Sequence, residues 1–166
     1  MKDILKDVAE LAKLNLSQDR HLTPVIMWFK EGRMAFPPQM MHDFPDCNEY
    51  DNKTRNVWAA GVLAHKLHAD FLILVWDAAF RTVSNPEEYT HATEAPLLYP
   101  KTMRTECIVV EGISLPSGTE DTTMIPYKGG EDEPVEFLPN DLPEGAAFKS
   151  RFADIAVDGW NQAPTL

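Results

Sequence analysis

Apolar residues near the start of the chain fall on one helical face. Ile4, Leu5, Val8, Leu11 and Ala12 share a side, with Asp3, Lys6, Asp7, Glu10 and Lys13 opposite, which predicts an amphipathic helix over Lys2 to Leu14. The pattern then changes period. Thr23 to Phe29 is bulky and β-prone, Lys30-Glu31-Gly32 carries turn chemistry, and Arg33 to Pro37 returns as a short partner strand. A hairpin is expected there, with Pro24 near its edge and Pro37-Pro38 ending it. From Pro37 to Asp51 the composition turns to Pro, Met, Asp and Asn, a loop. Asp51 or Asn52 then caps a second helix running to about Ala69, with Val57, Ala60, Gly61, Ala64, Leu67 and His68 on one side and Gly61 marking close packing against a sheet.

Phe71 to Val83 begins as a continuous apolar run, the signature of a central strand buried on both faces, and emerges at Asp77 and Arg81. Ser84 to Pro100 reads as a long connection. Arg104 to Ile113 is the next strand, Pro116-Ser117-Gly118 a turn, Thr122 to Lys128 a strand, Gly129-Gly130 a second turn, and Pro134 to Leu138 a short edge strand. Ala146 to Val157 places Phe148, Phe152 and Ile155 at helical intervals, while Trp160 to Leu166 reads as frayed. The expected fold is α+β: a mostly antiparallel sheet of five or six strands with two or three helices packed on one face, in the order α-β-β-α-β-β-β-β. Profilin-like and roadblock-like folds have a comparable element order, an analogy of architecture that carries no function. Residues 1–145 form one domain in this reading, and 146–166 a C-terminal helix or tail, partly frayed.

Composition adds charge to this picture. The chain has 166 residues, 44% of them hydrophobic, and a formal net charge of −11. Residues 111–166 hold 11 acids against Lys128, Lys149 and Arg151, so most of the acidity sits at the C-terminal end. Such a field repels phosphate backbones and favours basic partners, which argues against direct nucleic-acid binding. Cys47 and Cys107 lie far apart in unlike contexts and are read as free thiols. With no leader-like start and no run of about eighteen apolar residues, a cytoplasmic protein without a membrane partner is expected.

Candidate chemistry is sparse. His65 and His68 stand three apart on the second helix, and with His42, Asp43, Asp46 and Cys47 nearby in sequence they sketch a mononuclear zinc site, though no Cys-x-x-Cys or His-Glu-x-x-His accompanies them. No Gly-x-Ser-x-Gly occurs, Ser114 and Ser117 lack an adjacent base, and the glycine pair at 129 and 130 leads into no phosphate loop. No cofactor is expected. Asp77 and Arg81 leave their strand on one face, and Arg104 and Glu106 share a face on the next. Either a structural ion-pair lattice or a shallow ligand-binding site of Asp77, Arg81, Arg104 and Glu106 follows. Phe36, Met40, Met41 and Phe44 crowd the Pro-rich loop as a candidate interaction loop, with a loop that folds back over the core as the alternative.

The stretch Trp76 to Val110, with its strand, proline-bearing connection and Pro100-x-x-x-Arg104-x-Glu106 entry into an apolar strand, resembles a pattern in small bacterial and phage proteins of no assigned activity. The resemblance implies a bacterial or phage origin and no chemistry. Taken together, the sequence favours a non-enzymatic accessory or protein-binding protein that engages a basic partner through its acidic C-terminal third. The alternative is a small hydrolase or ligand-binding domain using the polar or histidine positions. A homodimer joined through an edge strand is a further expectation.

Overall fold

A computed structural model of the chain describes residues 1–41, 49–80, 105–140 and 150–166. The elements are α1 (Lys2–Asp19), β1 (Val25–Lys30), β2 (Arg33–Met40), α2 (Glu49–Leu67), β3 (Phe71–Phe80), β4 (Thr105–Ser114), β5 (Glu120–Lys128), β6 (Glu136–Phe137) and α3 (Phe152–Gln162), followed by a 3-10 turn at Ala163–Thr165. Six strands form one sheet in the order β2-β1-β3-β4-β5-β6, every neighbouring pair antiparallel. The α+β class and the element order are those expected from the sequence, and the C-terminal helix spans Phe152–Gln162.

Helices cover both faces of this sheet. Leu5, Val8, Ala9, Ala12 and Leu16 of α1 pack with Met27, Phe29, Phe71, Ile73, Val75, Ile108 and Val110. On the opposite face Val57, Ala60 and Ala64 of α2 and Phe152, Ala153 and Ala156 of α3 pack with Ile26, Trp28, Leu72, Leu74 and Ile113. One-sided packing therefore fails. The reason lies in β3 and β4: successive side chains of a strand point to opposite faces, and residues 71–75 and 107–110 are apolar at every position, so each face must be removed from water.

Several boundaries also move. Helix α1 continues past Leu14 to Asp19, bringing Leu16 into the core at 1% exposure, and Arg20 closes it in the left-handed conformation (φ 60°), its N–H donating to the Leu16 carbonyl at 2.8 Å. Strand β2 continues through Pro37 and Pro38 to Met40. Trp28 pairs with Phe36 and Ile26 with Gln39, so the prolines occupy a bulge on an edge strand, where missing N–H donors remove no ladder bond. Met41 is buried in the core beside α2 and α3. The Trp160–Leu166 segment is helical to Gln162, and Ala163 is buried.

Gly61 packs against a helix, where the sequence suggested a sheet. A Cβ at Gly61 would collide with the carbonyl oxygen of Ala156, and one at Gly159 with the carbonyl oxygen of Trp58. The two glycines thus let α2 and α3 cross backbone to backbone. Trp58 Nε1 donates to Asp158 Oδ2 at 3.0 Å across the same crossing, and Trp28 Nε1 ties the sheet to α2 by donating to the Ala60 carbonyl at 3.0 Å.

Candidate functional site

The most unusual position in the structure is Glu111. It stands on β4 opposite Leu74 of β3 and Thr122 of β5, points into the α2/α3 side of the core, and is 0% exposed. A carboxyl group withdrawn from water needs donors, because its lost hydration costs several kcal/mol unless hydrogen bonds replace it. The Ser150 hydroxyl donates to Glu111 Oε1 in a short hydrogen bond, and Trp76 Nε1 lies 3.4 Å from Oε2. Ser150 is itself buried, and its Oγ accepts the Phe152 amide at 3.0 Å, so one hydroxyl joins the carboxyl to the first turn of α3. Trp76 meets the Phe152 ring edge-on at 5.3 Å, closing the apolar side of the cluster.

A second carboxyl stands diagonal to the first. Glu120 faces Ile113 on β4, two positions from the residue opposite Glu111, and on the same face. Its Oε1 and the Thr122 hydroxyl are both buried without a hydrogen-bond partner. Burial is the main cause that pushes the Glu111 carboxyl up to about 7, and Glu120 adds to it, while the Ser150 and Trp76 hydrogen bonds pull the other way. Glu111 is therefore a carboxyl that changes charge near neutrality. In the sequence Glu111 stands only as one of the acids of the C-terminal third. Its signal is a charge inside the apolar stretch Cys-Ile-Val-Val-Glu-Gly-Ile of β4; Ser150, 39 residues away, has no such signal.

The polar positions singled out from the sequence lie elsewhere. Asp77 and Glu106 both occupy the α1 face at one end of the sheet, Asp77 opposite Ile108 and Glu106 opposite Ala79 and Tyr127. Asp77 is exposed and Glu106 half-buried. Burial first, then Glu106 and Asp77, pushes the Tyr127 hydroxyl up to about 12. Their intended partners Arg81 and Arg104 lie outside the described residues, as do His42, Asp43, Asp46, Phe44 and Cys47. His65 is half-buried and meets Trp160 edge-on at 5.0 Å, whereas His68 lies one residue past the end of α2, exposed and with φ 52°. Among the described residues no group of three His, Cys, Asp or Glu side chains is placed to hold a metal ion.

Of the candidate interaction loop, Phe36 and Met40 belong to β2 and Met41 to the core. Phe36 packs edge-on against Trp28 at 5.7 Å, while Met40 is 53% exposed. Cys107 is fully buried, and burial first, then Glu106 and Asp77, raises its thiol to about 12, so it is no nucleophile at neutral pH.

The exposed surface carries its own feature at the β5–β6 turn. Gly129 (φ 91°) and Gly130 (φ 143°) reverse the chain, the Gly130 N–H donates to the Glu133 carbonyl at 3.0 Å, and Arg20 Nη1 donates to the Glu131 carbonyl at 3.5 Å. A Cβ at Gly129 would strike the Pro134 carbonyl, so the turn admits only glycine there. Glu131, Asp132 and Glu133 point outward from this braced turn, exposed, and none has an ion-pair partner among the described residues. Along α1, a groove of about 320 Å3 lies against β5, with Lys2 and Lys6 on one wall, Asp121 and Thr123 on the other, and Leu5 and Ala9 at its base. No helix among the described residues is long and apolar enough to cross a membrane.

No family model, curated protein or solved structure matches this chain.

Proposed function

We propose that the protein is a non-enzymatic, protein-binding accessory module that engages a basic partner through the braced acidic turn Glu131-Asp132-Glu133. The observation that supports this reading most is the bracing of that turn. Three carboxylates with no ion-pair partner among the described residues sit on a turn held by the Gly130 amide, the Arg20 guanidinium and a glycine pair, so a partner pays little backbone ordering entropy to meet them. Exposed acidic charge steers a basic partner and is screened by salt. A cytoplasmic setting in a bacterium or an infected bacterial host belongs to the same reading and draws on the Pro100-x-x-x-Arg104-x-Glu106 resemblance. A homodimer through β2 receives less support, because Pro37 and Pro38 remove two donors from that edge.

The test is affinity purification from bacterial lysate at low and moderate salt, with the chain and its Glu131→Gln/Asp132→Asn/Glu133→Gln variant as parallel baits. A stoichiometric basic protein retained by the chain, lost at moderate salt and lost by the variant, supports the reading. Retention by both baits at both salts would overturn it.

A further inference from the structure

We propose that Glu111 and Glu120 form a proton-operated latch: while one proton is held by the pair, the Ser150 junction closes over it, and loss of that proton opens the junction to water.

Geometry carries this inference. Among the described residues, the groups that face the Glu111 carboxyl are Trp76 from β3, Glu120 and Thr122 from β5, and Ser150 from the entry to α3. Glu120 is the one charged group among the described residues that perturbs it, and it has the same sign. With both carboxyls ionised, the described residues would set two negative charges against two neutral donors, the Ser150 hydroxyl and the Trp76 indole. A buried pair of like charges is relieved by keeping a proton or by admitting water. A proton on Glu111 also gives the otherwise unpartnered Glu120 Oε1 a hydrogen to accept.

The yielding part is set by the fold. Glu111 sits on β4, laddered on both sides by β3 and β5, and Glu120, the first residue of β5, pairs with Ile113 beside the hydrogen bond from the Ser114 N–H to the Thr119 carbonyl, so the two strands cannot part there without breaking consecutive backbone hydrogen bonds. Ser150 is held by single contacts: its hydroxyl to Glu111 and its Oγ to the Phe152 amide. The assigned N-cap of α3, Arg151, makes no side-chain capping bond, so Ser150 is what organises the first turn. Opening therefore begins at Ser150–Phe152, while the Gly61 and Gly159 crossing keeps the rest of α3 against α2.

The experiment follows the glutamate carboxyl carbons and the backbone amides of the full chain by NMR between pH 5 and 8.5, for wild type, Glu111→Gln, Glu120→Gln and Ser150→Ala. The expected result is one glutamate titrating near neutrality, absent from Glu111→Gln and displaced by at least about one pH unit downward in Glu120→Gln, since one unit corresponds to a tenfold change in proton affinity. Exchange protection at the Phe152 and Ala153 amides, corrected for intrinsic exchange, falls about tenfold or more through the same transition, as a local opening should. In Ser150→Ala the carboxyl still titrates but the α3 amides no longer follow it. If no glutamate titrates above pH 6, or if protection at Phe152 ignores a titration that does occur, the latch is wrong. Should Glu111→Gln fail to fold, wild type and Glu120→Gln decide alone.

Discussion

Gly61 on α2 lies directly beneath the Ala156 carbonyl of α3, and Gly159 answers it from α3 beneath the Trp58 carbonyl. No rotamer change can relieve a Cβ placed against a backbone oxygen. Gly61→Ala and Gly159→Ala are each expected to destabilise the protein by about 3 kcal/mol, the upper part of the range for overpacking a close interface, despite alanine's better helix propensity. Urea unfolding checks this. An unchanged midpoint for Gly61→Ala would mean that the two helices do not cross at these residues.

Leu16 is the residue that makes the last turn of α1 structural. It is 1% exposed, whereas Leu11 and Leu14 on the same helix are 54% and 52% exposed. Leu16→Ala should cost about 3 kcal/mol and Leu11→Ala under about 0.5, because only the first leaves a cavity. Thermal unfolding of the two variants side by side gives the answer, and equal losses would contradict the extended helix.

Sequence legibility tracked how local each determinant is. The α1 stripe, the Lys30-Glu31-Gly32 turn, the apolar runs of β3 and β4 and the turns at 116–118 and 129–130 are written in adjacent residues, and each element formed where expected. The end of α1 is hidden because Asn15, Ser17 and Asp19 are poor helix formers, and burial of Leu16 holds the turn helical. Pro37 and Pro38 read as a stop, since nothing local reveals that β2 is an edge with a bulge. Gly61 announced a close approach but could not name α3 as its neighbour. The Glu111 cluster depended on three separated segments meeting, with Ser150 far along the chain, and no spacing rule reaches that distance.

Cys107 should be silent to thiol reagents. It is 0% exposed on β4 and its thiol is held up to about 12, mainly by burial, so thiolate is scarce at neutral pH. Maleimide labelling followed by peptide mapping is expected to modify Cys107 only in denaturant. Modification within minutes in the native protein would place this strand at the surface.

The pH dependence of stability has a sign fixed by Glu111. Its carboxyl rises from 4.5 in the unfolded reference to about 7 in the fold, so between these values the native state binds the proton that the unfolded chain has released. Stability from this group is fully present below about pH 4.5 and is lost as pH rises to about 7. Relative to Glu111→Gln, the wild type should lose on the order of 3 kcal/mol over that window, with the variant's curve flatter through neutrality. Urea titrations at pH 5 and pH 8 on both proteins measure the difference, and parallel behaviour would show that Glu111 does not titrate in the native state.

Neutralising the acidic turn should separate binding from folding. Glu131, Asp132 and Glu133 are exposed, without ion-pair partners among the described residues, and the turn they occupy is braced by backbone groups and glycines. The Glu131→Gln/Asp132→Asn/Glu133→Gln variant keeps every one of those braces, so its unfolding free energy should stay within about 0.5 kcal/mol of wild type. Removing three negative charges also relieves some self-repulsion in a chain of net charge −11, so any small change should be a gain. Affinity for a basic partner is expected to drop about tenfold or more at low salt, and the salt dependence of the remaining binding to flatten, because screening acts on charges that are no longer there. Titration calorimetry at two ionic strengths reads both effects. A variant that binds like wild type, with the same salt dependence, would move the search for the contact surface away from the β5–β6 turn.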